Sequence, residues 1–211
     1  MLPLTGYIKI FTALISIVDP IGAVPIVVSL TAGMSEKERR SIAPVTGFAV
    51  GVILVSSALF GKFILSFFGI SIGSFKVGGG IIILLMAVAM MQAHYIPARQ
   101  TTEEYLEAEE KKSIAVVPIA MPLLAGPAAI SAVIVYSQSP YEPLHITIIA
   151  LICTLVAFLT WVLLRAAGTV SRVMSRTAIN IVTRLMGLLL VAISVELITG
   201  GLAQIFPTLV R

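Results

Sequence analysis

Charged residues are scarce in this chain. They make up 11% of its 211 residues, whereas apolar residues make up 58%. A soluble domain is usually about 25% charged and about 45–50% apolar. A water-soluble fold of this length would leave much of that apolar surface in water, and a lipid environment removes the problem. The composition therefore excludes an ordinary soluble domain and indicates an integral membrane protein surrounded by the lipid bilayer.

Cysteine and histidine are also nearly absent. The single cysteine, Cys153, lies in an apolar run, so no disulfide framework or cysteine metal site can form. The two histidines, His94 and His145, are far apart in the sequence and indicate no metal site. Because no P-loop, nucleophile elbow or zinc-protease motif occurs either, we expect no enzyme, no cofactor and no resident metal. The net charge of +4 indicates no nucleic-acid partner, because the basic residues flank apolar runs and form no patch.

Long apolar runs divide the chain into six stretches. Each is long enough for a spanning helix, which needs about 20 predominantly apolar residues. The runs are Leu4–Ala32, Ser41–Gly61, Val77–Ala98, Ser113–Tyr141, Pro143–Leu164 and Leu185–Val210. No basic segment precedes the first run, so we expect it to remain in the mature protein and not to act as a cleaved signal peptide. The arginine-rich stretch Arg165–Arg184 is expected to be a loop or a surface-lying segment.

Basic residues are distributed unequally between the two ends of these spans. With six spans, one side receives ten lysines and arginines, in the loops around residues 33–40, 99–112 and 165–184. The other side receives the remaining four, Lys9, Lys62, Lys76 and Arg211. The positive-inside rule places the ten in the cytoplasm, so both termini are expected outside it. The glutamate-rich stretch Thr101–Lys112 is expected to be a solvated cytoplasmic linker.

Two of the six spans carry matching interruptions. Span one contains the motif Asp19–Pro25, and span four contains the motif Met121–Pro127. Each motif has two prolines five residues apart, with alanine and glycine between them. Proline removes a backbone donor and clashes with the preceding turn. Each motif should therefore open its helix for about one turn, near the middle of the bilayer.

The third span of each half also matches. The stretch Ile72–Val77 is followed shortly by Gly80, and Ile179–Arg184 is followed equally closely by Gly187. A repeat of three spans is odd in number, so two such repeats in series must lie upside down to one another. Inverted repeats with broken helices in corresponding positions are typical of secondary transporters.

The predicted fold is therefore an all-α membrane protein with six transmembrane helices, built as two inverted three-helix repeats. Residues 1–98 form the first repeat, residues 99–112 the cytoplasmic linker and residues 113–211 the second repeat. Helices one and four are expected to be broken at mid-membrane.

The two breaks predict a binding site for a carboxylate. After each break a half-helix restarts, and Pro25 and Pro127 suit its first turn. The N-terminus of a helix carries free N–H groups and about half a positive charge. Inversion would aim the two N-termini at a common centre, which favours an anionic group there. The residues expected to bind substrate are Asp19, Pro20, Gly22, Ala23, Pro25, Pro122, Ala125, Gly126 and Pro127.

Two acidic residues lie within the apolar runs, and each has a functional and a structural interpretation. A charge at the bilayer centre costs about 2.5–3.5 kcal/mol on insertion scales, and it usually marks function. Asp19 is expected to receive a substrate ammonium, a sodium ion or a proton, or else only to cap the restarting half-helix. Glu196 is expected to carry a proton or line a cavity, or else to be a neutral structural glutamate. The pattern Gly47–Gly51 permits close helix packing, either within the subunit or between copies.

These motifs resemble those of the MarC family of membrane proteins. The resemblance lies in Asp19–Pro25, Met121–Pro127, Thr183–Leu189 and Phe68–Ile72, and it extends over essentially the whole chain. It implies a multi-spanning inner-membrane protein of bacteria or archaea, in a family that includes neutral amino-acid transporters for glycine, alanine and serine. It also implies an older association with antibiotic resistance. The family varies between Asp and Asn at the position of Asp19, and between Gln and Glu at that of Glu196.

The expected function is secondary transport of small neutral amino acids across the cytoplasmic membrane, coupled to a proton or a sodium ion. The sequence leaves three alternatives open. Drug or metabolite efflux would need a larger, more aromatic cavity than these motifs indicate. A membrane enzyme would need a nucleophile–base pair, and a membrane scaffold would leave the paired breaks unexplained.

Overall fold

The structure, a computed structural model, describes residues 2–31, 34, 36–92, 120, 124–138 and 142–210. Within these residues the regular structure is helical. The helices are α1 (Leu4–Val18), α2 (Pro20–Leu30), α3 (Glu36–Phe67), α4 (Ile72–Met91), α5 (Pro127–Ser137), α6 (Pro143–Arg165), α7 (Ala167–Val173) and α8 (Arg176–Ile205), followed by a short 3-10 helix at Pro207–Val210.

Among the described residues, five helical stretches are long and apolar enough to cross a membrane. They are Leu4–Leu30, Ser41–Phe67, Ile72–Met91, Pro143–Arg165 and Thr177–Ile205. The first consists of α1 and α2 in succession, and α5 is a shorter apolar helix. The chain is therefore a multi-pass membrane protein. The expected linker at residues 99–112 and most of the first half of span four lie outside the described residues.

Three helices, α3, α4 and α8, begin earlier in the chain than the apolar runs indicated. The stretch Arg165–Arg184 contains the short helix α7, but α8 already begins at Arg176, so the expectation of a loop is wrong for its last nine residues. The reason is a cap: the Ser175 side chain accepts a hydrogen bond from the Ala178 N–H at 3.1 Å. This contact satisfies one of the free donors of the first turn.

The distribution of side chains is that of a membrane protein. Large apolar residues cover the outside, among them Phe48, Phe63, Phe67, Leu85 and Leu151. Small hydroxyl residues lie inside, among them Ser16, Thr46, Ser131, Thr160 and Ser194. Lipid provides no hydrophobic drive between helices, so small side chains and buried hydrogen bonds hold the bundle together.

Helices α4 and α8 make the most extensive contact of the bundle, through a small-residue seam. Small residues recur at every seventh position on both helices and meet in three pairs, Gly73–Gly201, Gly80–Ser194 and Ala87–Gly187. A Cβ atom added at Gly201 would lie 2.7 Å from the carbonyl oxygen of Gly73. The seam therefore sets the two helices antiparallel with their backbones in close approach.

The second large contact joins α3 to α6, and it accounts for the pattern Gly47–Gly51. A Cβ atom at Gly47 would lie 2.6 Å from the Cβ atom of Trp161, and one at Gly51 would lie 3.2 Å from that of Ala157. Of the two interpretations of this pattern, packing within the subunit is confirmed.

The half-helices α2 and α5 are each surrounded by long helices. Helix α2 packs on α6, α7 and α8, whereas α5 packs on α3, α4 and α6. Helix α1 contacts α5, α6 and α8. The breaks at the start of α2 and α5 are thereby held inside the bundle.

Candidate functional site

The first break consists of a single residue, Asp19, in the left-handed conformation (φ 40°, ψ 60°). Its N–H donates to the Ile15 carbonyl oxygen at 3.0 Å and so closes α1. Its carboxylate atom Oδ1 accepts from the Gly22 N–H at 3.1 Å and so caps α2. Asp is one of the few residues other than glycine that readily adopt this left-handed conformation. The capping role considered for Asp19 is therefore present.

Helix α2 restarts earlier than the motif predicted. Pro20 is its first residue and Pro25 lies inside it, so the prediction that the half-helix restarts after about one open turn, with Pro25 in its first turn, is wrong. Pro20 suits this place because the first residue of a helix needs no N–H. Pro25 removes one hydrogen bond inside the helix, and a spanning helix tolerates this loss where neighbouring helices surround it.

The other oxygen of Asp19 contacts α8. The hydroxyl Oγ1 of Thr183 donates to Asp19 Oδ2 at 3.3 Å, and both side chains are only 5% exposed. Both carboxylate oxygens of a buried acid are thus hydrogen-bonded, which offsets part of the cost of its burial. Sequence reasoning missed Thr183 as a site residue. Its one signal was its position at the start of the motif Thr183–Leu189.

The second break has a different geometry. The Ala125 N–H donates to the Ala120 carbonyl oxygen at 2.8 Å, across five residues, and Gly126 then runs extended. Pro127 is the first residue of α5, which confirms its predicted place. Pro122 lies outside the described residues. The two half-helices therefore restart at prolines that are not equivalent in the predicted repeat.

Most of the predicted site residues are buried, and the second proline of each motif is more exposed than they are. Asp19, Pro20, Gly22, Ala23, Ala125 and Gly126 are buried, whereas Pro25 is half-buried and Pro127 is exposed. Ala23 and Ala125 belong to one continuous buried cluster. The convergence of the two helix N-termini on a common centre stays a prediction.

A cavity of about 560 Å³ lies beside the first break. Its walls come from α1, α4, α5 and α8, and polar side chains in them include Lys9, Ser16, Lys76, Tyr136 and Glu196. We call it the outer cavity, because it extends to the beginning of α1, which the predicted orientation places outside.

The bottom of the outer cavity lies one helical turn from Asp19. Ser16, which lines the cavity, precedes Asp19 by three residues, and its hydroxyl lies 3.2 Å from the sulfur of Met186. Met186 follows Thr183 by three residues on α8. Along α1 and α8, the contact between Ser16 and Met186 therefore lies between the cavity and the contact between Asp19 and Thr183.

Glu196 lines the outer cavity, as one of its interpretations proposed, but it does not join Asp19. It follows Thr183, the α8 partner of Asp19, by thirteen residues, which is about 20 Å along a helix. The two residues proposed for ion coupling thus occupy different levels of the molecule.

His145 and Cys153 take structural places in the described bundle. His145 Nε2 donates to the Tyr136 carbonyl oxygen at 2.8 Å, and its Nδ1 is hydrogen-bonded to the Tyr7 hydroxyl at 3.0 Å, which ties α1 to α5 and α6. Cys153 is fully buried. Among the described residues, no group of three or more His, Cys, Asp or Glu side chains is placed to hold a metal ion.

Comparison with known proteins gives one consistent family. The profile described as MarC family integral membrane protein matches residues 4–206. A UPF0056 membrane protein of Buchnera aphidicola is 41% identical over 208 residues, which cover 99% of this chain and 97% of that protein. The UPF0056 membrane protein YhcE of Escherichia coli is 37% identical, with 97% and 95% covered. One from Methanocaldococcus jannaschii is 39% identical, with 93% and 95% covered. No solved structure gives a significant match.

Proposed function

Since this chain belongs to the MarC family of integral membrane proteins, we propose that it is a secondary transporter of small neutral amino acids. It moves them across the cytoplasmic membrane by coupling to a proton or a sodium ion. The names of its relatives describe membrane proteins and state no substrate. The proposal therefore depends on the geometry of the site.

The observation that carries the proposal is the pair of buried carboxylate contacts at Asp19. An aspartate in the middle of a spanning stretch, held by Gly22 and Thr183, is an expensive feature in a membrane protein. A helix cap alone would need only a neutral side chain such as Asn or Ser. Asp19 therefore supplies the negative charge that a substrate ammonium or a coupling cation requires.

Around Asp19 the site is built from small residues. Gly22, Ala23, Ala125 and Gly126 are buried near the two breaks, and such small residues suit a small substrate. At the start of α5 no side chain caps the helix, so the N–H groups of its first turn suit a carboxylate. A small zwitterion such as glycine, alanine or serine satisfies both requirements. Tyr136 is the one aromatic residue among the described residues that line the outer cavity, which speaks against an aromatic drug-binding site.

The inverted repeat belongs to this proposal, and the seam supports it. Gly187 follows Gly80 by 107 residues, and Ser194 follows Ala87 by the same number. A Cβ atom at Gly80 would lie 3.1 Å from the Ser194 carbonyl oxygen, and one at Gly187 would lie 3.0 Å from that of Ala87. A two-fold operation that exchanges the halves maps one contact onto the other.

The half-helices follow the same exchange. Helix α2 of the first half packs on α6 and α8 of the second, and α5 of the second half packs on α3 and α4 of the first. These are equivalent elements in the proposed repeat. Alternating access in such folds moves one repeat against the other around a fixed site. With both termini outside, the outer cavity gives the site an approach from the outside, and the contact between Ser16 and Met186 closes that approach.

The test is uptake by purified protein in proteoliposomes. Radiolabelled alanine should accumulate when a proton or a sodium gradient is imposed, and protein-free vesicles should show no such uptake. Unlabelled glycine and serine should compete, whereas arginine and glutamate should not. Competition by arginine equal to that by glycine would refute the neutral substrate. A lack of uptake under either gradient, with each amino acid tried, would refute the transport proposal.

A further inference from the structure

In the described part of the chain, three charged side chains line the outer cavity, and the substrate site at the break uses none of them. They are Lys9 on α1, Lys76 on α4 and Glu196 on α8. Lys9 and Glu196 are exposed and Lys76 is half-buried. Charged side chains within spanning helices usually face a watery cavity or one another. All three lie on a cavity that is large enough for a small solute together with water.

The helix registers place these three charges at similar depths. In the register of the small-residue seam, Lys76 lies opposite Ile198, two residues beyond Glu196. The hydrogen bonds that join Ser16 and Asp19 to α8 set α1 antiparallel to α8 and place Lys9 opposite residue 193. At 1.5 Å per residue, the three charges fall within roughly 8 Å along the helix axes.

We propose that the outer cavity is a second binding site for a small amino-acid zwitterion, separate from the break. Lys76 binds the carboxylate, Glu196 binds the ammonium, and Lys9 adds attraction for the carboxylate. This inference rests on the proposed function, because it takes the transported amino acids as the ligands. The substrate then binds first in the outer cavity and moves from there to Asp19.

The mixed charge of the cavity selects this ligand class. A simple cation would meet two lysines, and a simple anion would meet Glu196. An apolar ligand would take all three charges out of water without pairing them, which costs several kcal/mol per ion. A zwitterion pairs with both signs at once, and charge-assisted hydrogen bonds are the strong ones. The requirement for both charged groups distinguishes this site from a general anion vestibule.

Binding in the outer cavity also explains why Glu196 lies far from Asp19. Glu196 follows Met186, which contacts Ser16 at the bottom of the cavity, by ten residues, or about 15 Å along α8. A zwitterion held at Glu196 therefore lies above the contact between Ser16 and Met186. It must pass that contact to reach the break.

The test uses a reporter cysteine at Ala192, which lines the cavity one helical turn before Glu196. Purified Ala192→Cys protein in proteoliposomes is treated with an anionic and with a cationic methanethiosulfonate, with and without saturating alanine. The native chain is the blank, because Cys153 is fully buried. We expect Ala192→Cys to react. We expect alanine to slow the reaction, and ethylamine and propionate to leave it unchanged.

Further substitutions separate the outer cavity from the break. In the Ala192→Cys background, Lys76→Gln or Glu196→Gln should raise the alanine concentration for half-maximal protection about tenfold or more, since each removes a charge-assisted bond. Lys76→Arg keeps the charge and should restore protection. Asp19→Asn should leave protection unchanged. Protection that survives both cavity substitutions and disappears in Asp19→Asn would place binding at the break alone and overturn the outer site.

Uptake of labelled alanine, measured with the same vesicles, keeps the two proposals apart. Uptake without protection of Ala192→Cys would overturn the outer site and leave transport standing. Protection without uptake would support the outer site as an amino-acid site and refute transport. A cysteine at this position that reacts with neither reagent would show that the cavity is not aqueous, and would also overturn the outer site.

Discussion

Replacing Gly201 with alanine tests the seam between α4 and α8. An added Cβ atom would lie 2.7 Å from the Gly73 carbonyl oxygen and 2.8 Å from a methyl carbon of Val77. A backbone oxygen cannot move aside as the end of a flexible side chain does. Overpacking of a close contact costs about 1–3 kcal/mol, and the helix propensity of alanine returns roughly 0.5–1 kcal/mol. We expect Gly201→Ala to lower the free energy of unfolding by about 1–2 kcal/mol.

The preceding residue provides the matched control. A Cβ atom at Gly200 would have no heavy atom within 4 Å, so Gly200→Ala should be neutral or stabilise the protein by up to about 1 kcal/mol. Gly80→Ala and Gly78→Ala form a second pair. A Cβ atom at Gly80 would lie 2.6 Å from a side-chain carbon of Ile198, whereas one at Gly78 would have no heavy atom within 4 Å. The assay is unfolding of purified protein in mixed micelles by added sodium dodecyl sulfate. Equal effects of the two substitutions in both pairs would refute the seam.

Three further predictions address orientation, ligand and site. Reporter fusions at Ser175 and Arg211 should report the cytoplasm and the outside respectively, and a cytoplasmic C-terminus would refute the six-span topology or its orientation. Ethanolamine and ethylamine should not compete with glycine for transport, because they lack the carboxylate; binding of ethanolamine as tight as that of glycine would rule out the anion site. Thr183→Val should weaken alanine transport, because Asp19 Oδ2 loses its donor, at a cost of about 1–3 kcal/mol. Thr199→Val should leave alanine transport unchanged, because the Thr199 hydroxyl bonds only to the backbone of its own helix. Equal loss of transport in both variants would contradict the role of Thr183.

The spans were predictable because the bilayer imposes a length on every crossing helix. The apolar runs that begin at Leu4, Ser41 and Pro143 begin where the corresponding candidate spans begin. The helix boundaries nearer to charges were less predictable. Helix α4 starts at Ile72 and includes Lys76, because Ser71 caps it through a bond from the Ser74 N–H at 3.0 Å. A local cap decides such a boundary, and average hydropathy does not report it.

The break in the first span was predictable in place but not in form. Two prolines and a glycine indicated an opening near Asp19, and the opening is there. The left-handed conformation of Asp19 and its bond to Gly22 allow α2 to restart at once, so Pro25 falls inside the helix. The motif alone does not decide which proline begins a helix, since either suits a first turn.

Contacts between distant segments were not predictable from one sequence. Thr183 meets Asp19 across 164 residues, and nothing in the spacing of either motif indicates the pair. Glu196 and Asp19 were proposed for the same task, but the geometry of α8 separates them. The GxxxG pattern at Gly47 left its partner helix open, and the contact with Trp161 decides it.

The central claim is that Asp19 supplies a charge to a transported amino acid or its coupling cation. Asn at this position keeps an oxygen for the Gly22 N–H, and its amide can donate to the Thr183 hydroxyl, so Asp19→Asn should fold with little loss of stability. The direct measurement is uptake of labelled alanine by purified wild-type and Asp19→Asn protein in proteoliposomes, under imposed proton and sodium gradients. We predict accumulation by the wild type, and a loss of affinity or coupling in Asp19→Asn of at least about tenfold, because a buried charge pair is costly to break from one side. Unchanged affinity and unchanged ion dependence in Asp19→Asn would contradict the claim and leave Asp19 as a helix cap.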